Sequence, residues 1–141
     1  MCQAEAVSSA VQLIRSAALS DVAEYAYAAT VPAGTRLVFL AGACPLDEHG
    51  ATVAVGDVAG QAAQCIANLR TALAAAGAGV DDLVQTRVLV ATTEQQDLVA
   101  AWDVVRAAMG DHDVPSTLLG VTVLGYDDQL VEVEAIAAVA D

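Results

Sequence analysis

The end of the chain most constrains its fold, because it holds two runs of β-branched and apolar residues around a short polar turn. The runs span residues 115–124 and 130–137, and the turn, Gly-Tyr-Asp-Asp, spans residues 125–128. Two such runs around a Gly/Asp turn predict an antiparallel β-hairpin. We expect the rest of the chain to be organised around this hairpin.

Side chains along the second run alternate between an apolar face and a face with two carboxylates. The apolar set is Val131, Val133 and Ala135, and the opposite set is Glu132, Glu134 and Ile136. Pairing around the turn puts Thr117, Leu119 and Val121 on the face of the glutamates, although a slip of one residue would reverse this. Any active site is therefore expected on that face.

Composition limits the fold and the location. The length of 141 residues suits one domain, residues 1–141, with a sizeable core. The chain has only one Trp, one Phe and three Tyr, so the core must be filled with Val, Leu and Ala. No apolar run is long enough to cross a bilayer, and the first residues lack the basic start of a signal peptide. We expect a cytoplasmic protein without a membrane partner.

Cysteine and histidine spacing gives no indication of a metal. Cys2, Cys44 and Cys65 are far apart, and an odd number of cysteines without an export signal predicts reduced thiols. His49 and His112 are isolated in predicted loops. We expect no metal site and no bound cofactor.

The charge is the sharper observation about partners. Five basic residues, all arginines, stand against eighteen acidic ones, for a net charge of −13. The absence of lysine excludes Schiff-base catalysis by a lysine and the usual attachment of pyridoxal phosphate. An acidic surface repels nucleic acid and anionic lipid, so we expect neither as a partner.

Hydrophobic periodicity predicts two helices, from Asp57 to Ala76 and from about Glu94 to Met109. Asp57 is the expected N-cap of the first helix, and Gly77 is expected to close it. Four strands are predicted before the terminal hairpin, over residues 11–15, 25–31, 36–42 and 83–90.

This order predicts an α+β fold, with a mixed six-stranded sheet and both helices on one face. The other face would be too apolar for a soluble monomer, so we expect it to be buried against sister subunits. Three polar side chains of the first helix, Gln61, Gln64 and Asn68, are expected to face solvent or another subunit.

The sequence resembles the RidA/YjgF family of reactive-intermediate deaminases from about Tyr25 to Ala138. Six segments in the right order carry the resemblance. They are LVFLAG at 37–42, QAAQCIANL at 61–69, AAG at 75–77, VQTRVLV at 84–90, PST at 115–117 and VEVEAIA at 131–137. The resemblance implies a chorismate-mutase-like subunit, a homotrimer and three clefts between subunits. It also implies cofactor-free hydrolysis of enamines and imines to ketoacids and ammonia.

Site residues carried over from the family match unevenly. The cleft tyrosine corresponds to Tyr25, or to Tyr27 if the register shifts, and the acidic residue of the last strand corresponds to Glu132. The family's Ser-Gly-Gln triplet is here Ala41-Gly42-Ala43, which keeps the glycine amide but loses two polar side chains. Thr117 stands where the family has the arginine that grips the substrate carboxylate. With Leu119, these substitutions make the predicted cleft more apolar than the family's.

Without that arginine, a substrate carboxylate would meet Glu132 and Glu134 with no charge-assisted partner. Hydrolysis of small 2-imino acids is therefore disfavoured. Glu132 is the candidate general acid or base, and its alternative role is an ion pair with Arg87 or Arg36. Arg87 is a candidate substitute anion anchor, although an interfacial ion pair is the more common role for such a residue.

Two classes of function fit these residues. The first is a cofactor-independent enzyme for an imine, enamine or related intermediate, whose substrate lacks a carboxylate or is larger and less polar. A specialised role in a biosynthetic pathway would suit such a substrate. The second is a non-catalytic trimer that binds a small ligand or a partner protein in its clefts, with Glu132 only structural. Cys44 lies beside the predicted cleft, but without a basic neighbour in sequence it is expected to be a small buried residue rather than a nucleophile.

Overall fold

The computed structural model describes residues 9–22 and 24–140, which form six β-strands, two α-helices and one 3-10 turn. In chain order these are β1 (Gln12–Ile14), β2 (Ala28–Thr30), β3 (Arg36–Phe39), α1 (Val58–Ala75), the 3-10 turn (Val80–Asp82), β4 (Leu83–Ala91), α2 (Gln95–Met109), β5 (Ser116–Val121) and β6 (Val131–Val139).

The ends of α1 follow from local sequence. The Asp57 carboxylate accepts a hydrogen bond from the Gly60 amide at 3.0 Å, as expected of an N-cap. At the other end, the Ala78 amide donates to the Leu73 carbonyl at 2.9 Å, and the Gly77 amide donates to the Ala74 carbonyl at 3.1 Å. This pair of bonds is a Schellman motif, and it requires the left-handed φ of +76° that glycine adopts without strain. Both predicted caps are confirmed.

The strands form a mixed four-stranded sheet in the order β3-β6-β4-β5 and a separate two-stranded sheet, β1-β2. In the larger sheet β4 and β5 are parallel, and β6 is antiparallel to both β3 and β4. The α+β class, the mixed sheet and the two helices are confirmed. The six predicted strands are present in the described chain, but they divide between two sheets instead of forming one.

The predicted terminal hairpin is wrong. β6 inserts between β3 and β4, whereas β5 lies on the far side of β4. The reason is that α2 supplies the crossover that two parallel strands need, so β5 returns beside β4. Residues 122–130 then form a loop that carries the chain past β4 to β6, instead of a tight turn.

The predicted arrangement of side chains on the sheet nevertheless holds, through β4 instead of through direct pairing. Leu89 of β4 is in register with Leu119 on one side and with Glu132 on the other. Residues in register across neighbouring strands point to the same face of a sheet. Glu132 and Leu119 therefore share one face, with β4 between them.

Both helices pack on the other face and enclose the hydrophobic core. Its strand residues alternate along each strand with those of the face that carries Glu132 and Leu119. Its helix residues form one stripe on each helix. The fully buried members include Val88, Val90, Val131 and Val133 of the sheet, Cys65, Leu69 and Leu73 of α1, and Ala101 and Val105 of α2. We call this side of the sheet the covered face and the opposite side the open face. On the open face Leu37 is 49% exposed and Phe39 is 73% exposed.

Among residues 9–22 and 24–140, no helix combines the length and the apolar character needed to cross a membrane.

Candidate active site

Glu132 lies on the open face of β6, and two donors hold its carboxylate. The Cys44 thiol lies 3.0 Å from Oε1, and the side-chain amide of Gln129 lies 3.4 Å from the same oxygen. Gln129 is itself buried, and its amide also donates to the Val131 carbonyl at 3.0 Å. The two donors therefore fix the carboxylate through one oxygen.

Gly42 gives the other carboxylate oxygen its position. A Cβ atom built on Gly42 would lie 2.7 Å from both Cδ and Oε2 of Glu132. A glycine here leaves the carboxyl group where it lies, because any Cβ would displace the end of the Glu132 side chain. Ala43 follows, and its backbone exchanges hydrogen bonds of 2.7 and 3.0 Å with Val133. This pairing ties the segment containing Gly42 to the strand that carries Glu132.

The amide side chains of α1 hold the loops on both sides of Glu132. The fully buried Gln61 accepts from the Leu130 amide at 2.7 Å and donates to the Asp128 carbonyl at 2.9 Å. Two turns further along, Asn68 donates to the carbonyls of Cys44 and Leu46 at 2.8 and 2.9 Å. A single helix therefore positions the segments that bring Cys44 and Gln129 to the carboxylate.

The expectation that Gln61 faces solvent or another subunit is wrong, because Gln61 is fully buried. Gln64 and Asn68 are partly buried, so for these two the expectation stays a prediction. Gln64 donates to Asn68 at 3.0 Å, within the same network. A sequence signal was available for Gln61, since it continues the four-residue spacing of Cys65, Leu69 and Leu73. Gln129 carried no comparable signal, because its burial depends on the path of the loop before β6.

Neither cysteine in the described chain has the environment of a nucleophile. Burial raises the pKa of the Cys44 thiol to about 11, and the hydrogen bond and charge of Glu132 add to the rise. Burial also raises the pKa of Cys65, to about 12, with smaller effects from Cys44 and Glu132. Both thiols therefore stay protonated near neutral pH, and Cys44 acts as a hydrogen-bond donor to the carboxylate.

A second row of side chains crosses the open face next to Glu132. Arg87 of β4 is in register with Thr117 of β5 and with Glu134 of β6. The guanidinium Nη1 of Arg87 lies 3.4 Å from Oε2 of Glu134. A hollow of about 310 Å³ opens over this pair and extends to Gly42. The lining includes Gly42, against which the Glu132 carboxyl group lies.

Tyr25 and Thr117 lie together elsewhere, in a hollow of about 460 Å³ that Trp102 also lines. The rings of Tyr25 and Trp102 meet edge to face, with centroids 6.1 Å apart. Tyr27, the alternative candidate, instead uses its hydroxyl to donate to the Ser20 carbonyl. The predicted site residues thus form two groups within the described chain. Gly42 lies against Glu132, and Ala43 pairs with Val133, the next residue of β6. Tyr25, Thr117 and Leu119 lie at β5 beyond β4, two strand spacings or roughly 10 Å from β6.

The described residues contain no group of three His, Cys, Asp or Glu side chains arranged to hold a metal ion. The chemistry that this geometry offers is a fixed carboxylate, with one oxygen held by neutral donors, beside an open hollow. Such a carboxylate can exchange a proton with a bound molecule. The fold and site therefore define a small α+β subunit with a carboxylate on an open sheet face.

Comparison with known proteins identifies the family. Residues 16–139 match the family model described as Endoribonuclease L-PSP, so the chain belongs to that family, which includes the RidA/YjgF proteins. A RutC family protein of Pyrococcus horikoshii is 30% identical over 111 residues, covering 79% of this chain and 85% of the relative.

Solved structures agree with this assignment. The Rid family protein YyfB of Yersinia pestis superposes with a TM-score of 0.86 at 26% identity, covering 92% of this chain and 99% of that one. A YjgF family member of Mycobacterium tuberculosis superposes with a TM-score of 0.62, again at 26% identity, with the same two coverages. The expected family and the expected fold are confirmed, and membership supports a role in processing small molecules.

Proposed function

We propose that this protein hydrolyses imines or enamines without a cofactor, with Glu132 as the general acid and base. The observation that carries the proposal is the Glu132 carboxylate itself. Its Oε1 accepts hydrogen bonds from Cys44 and Gln129, and its Oε2 lies beside Gly42 at the edge of the hollow. A carboxylate that served only as an ion-pair partner would need a cation, and its described hydrogen bonds come from neutral donors.

The proposed reaction balances without any other reagent. Water adds to the imine carbon, the electron pair of the C=N double bond moves to nitrogen, and one water proton goes to Glu132. Glu132 then returns that proton to nitrogen, which gives a carbinolamine. Glu132 next takes the proton of the new hydroxyl group and passes it to the same nitrogen, so that ammonia leaves as the carbon–oxygen double bond forms. For an enamine, Glu132 first delivers a proton to the β-carbon, and water adds to the resulting iminium group in the same way.

The substrate that we propose has no free carboxylate. Thr117 offers one hydroxyl where the family arginine would offer a charged fork. Glu132 and Glu134 add two carboxylates to the same face, with Arg87 beside them. The partly exposed apolar side chains of that face suit a larger and less polar substrate than a short 2-imino acid.

A small molecule is also a better proposal than a nucleic acid, in spite of the family description. All five arginines contact groups within the subunit: Arg15 and Arg106 reach Asp113, Arg36 reaches the Ala76 carbonyl, Arg70 reaches the Ala108 carbonyl, and Arg87 reaches Glu134. With a net charge of −13, few cations remain for a phosphate backbone.

We propose further that the subunits form a homotrimer and that the site is completed in clefts between them. Leu37, which is 49% exposed and does not line the hollow, supports burial of that part of the open face against sister subunits. Sedimentation velocity should give about three times the subunit mass. A monomer at micromolar concentration would contradict this assembly and the clefts that depend on it.

Replacement of Glu132 tests the reaction directly. A flavin amine oxidase would release imines from amines that carry no carboxylate. Semicarbazide would be present and would compete for the imine. We expect the wild-type protein to divert imine to ketone, and Glu132→Gln to lose about 100-fold or more of that activity, as for other general acid–base residues. Glu48→Gln, on an exposed loop, is the matched control and should keep full activity.

A second candidate function is ligand binding without catalysis. The hollow of Tyr25, Trp102 and Thr117 favours it, because it is aromatic and separate from Glu132 within the subunit. This function predicts saturable quenching of Trp102 fluorescence that Thr117→Trp abolishes, together with no hydrolysis of any imine. Loss of hydrolysis in Glu132→Gln, with ligand binding intact, would decide in favour of the enzyme.

A further inference from the structure

The row formed by Thr117, Arg87 and Glu134 puts an arginine one strand away from the position where the family has its carboxylate-binding arginine. Neighbouring strands are about 4.8 Å apart, and a long side chain on β4 also reaches its diagonal neighbours on the next strand. Glu132 is such a diagonal neighbour of Arg87, since it is in register with Leu89 two residues further along β4. Arg87 is therefore close enough to bind one end of a molecule whose other end contacts Glu132.

The charge of Arg87 is already engaged by Glu134. Within residues 9–22 and 24–140, the contact of 3.4 Å with Glu134 is the one ion pair of this guanidinium. The two side chains are 47% and 40% exposed, so the pair borders solvent and the hollow. A guanidinium has five N–H donors, and one contact through Nη1 leaves most of that fork available to another acceptor.

The same hollow has an apolar wall. Phe39 and Ile136 line it together with Arg87 and Glu134, and Gly42 lies at its edge. Phe39 and Ile136 are also in register with each other across β3 and β6. A ligand that fills this volume would pack an apolar body on these two residues while its reactive group lies beside Gly42 and Glu132.

We propose that Glu134 sets the charge selectivity of this hollow. By engaging Arg87, Glu134 reserves the hollow for a neutral substrate with an apolar body and excludes a substrate with a free carboxylate. A carboxylate ligand would share the guanidinium with Glu134 and lie near Glu132, so the charges of two carboxylates oppose it for one guanidinium. A neutral ligand meets no such opposition. This inference names the substrate class of the proposed function and rests on that function for the reaction, but its binding test does not require turnover.

The test compares two small ketones that differ in one group. The probes are 2-oxobutanoate and 2-butanone, in which a methyl group replaces the carboxylate. Their affinities would be measured by NMR titration at low ionic strength, with the wild-type protein and with Glu134→Gln. We expect Glu134→Gln to bind 2-oxobutanoate about tenfold more tightly or better, because a charge-assisted contact becomes available. The affinity for 2-butanone should stay within about threefold.

The double variant Glu134→Gln/Arg87→Gln assigns the gain to Arg87, and it should lose the added affinity for 2-oxobutanoate. Glu134→Asp keeps the carboxylate and should still exclude this probe. Glu134→Ala should repeat the gain and serves if the glutamine variant does not fold. Unchanged 2-oxobutanoate affinity in Glu134→Gln and Glu134→Ala would overturn the proposal, as would equal affinity in the double variant. A failure to hydrolyse any imine would instead count against the proposed reaction, and the binding results would still decide the role of Glu134.

Discussion

The covered and open faces of the four-stranded sheet are built from the same strands with opposite kinds of side chain. Along β6, the buried Val131 and Val133 alternate with the partly exposed Glu132 and Glu134. The covered face is a dry layer of aliphatic side chains under two helices, whereas the open face carries charges, a glycine and exposed apolar groups. The covered face therefore supplies most of the free energy of folding. The open face can hold groups that add little to stability.

The largest effect expected from this division is on stability. Leu69→Ala, under the covered face and 1% exposed, should lower the free energy of unfolding by about 2–5 kcal/mol, because it leaves a cavity. Leu19→Ala makes the same chemical change at a position that is 52% exposed and lies outside the sheet, and it should cost less than about 1 kcal/mol. Urea unfolding at one protein concentration measures both. Similar losses in the two variants would contradict the view that the covered face supplies most of the free energy of folding.

Gly42→Ala tests whether a change on the open face alters activity without altering stability. The added methyl group of Gly42→Ala would collide with the Glu132 carboxyl group, whose flexible end can move aside. We expect imine hydrolysis to fall about 100-fold, as a displacement near 1 Å can cause, while the free energy of unfolding changes by less than about 1 kcal/mol. Gly125→Ala is the matched control, since nothing lies within 4 Å of its Cβ position. Equal activity of the two variants would argue against Glu132 as the reacting group.

A further expected effect is a pH dependence that involves both faces and is confined to alkaline solution. Cys44 on the open side and Cys65 in the core have pKa values raised from 9.0 to about 11 and about 12. The folded state keeps protons that the unfolded state loses above pH 9, so their stabilising contribution is complete below about pH 9 and declines as the pH rises toward 11. Urea unfolding at several pH values should show this decline. Cys65→Ala should show a shallower one than the wild-type protein, and an identical slope would contradict the assignment to Cys65.

Local features of the fold could be predicted from the sequence, because their causes are local. Asp57 and Gly77 define the ends of α1 through bonds to residues within five positions of them. The alternation around Glu132 correctly identified which side chains share the open face. Strand pairing was not predictable in the same way, since a Gly/Asp turn gives no sign that α2 has already directed β5 to the far side of β4.

The candidate site was predicted in its reacting group but not in its supports. Glu132 and Gly42 could be found from their segments of sequence, and the structure brings them into contact. Gln129 could not be found, because its burial depends on a loop that Gln61 holds from another part of the chain. Gln61 was misjudged because its polarity was given more weight than its place on the apolar stripe of α1. Polar residues on such a stripe are best treated as anchors for loops.

The anchoring of two loops by one helix has a consequence for motion. Gln61 holds the segment before β6, and Asn68 holds the segment after Gly42, so both segments are attached to the same rigid rod. A fluctuation that frees one segment breaks buried hydrogen bonds and disturbs the packing of that rod against the sheet. We therefore expect the two segments around Glu132 to open together and rarely. The carboxylate then stays in place between encounters with its ligand.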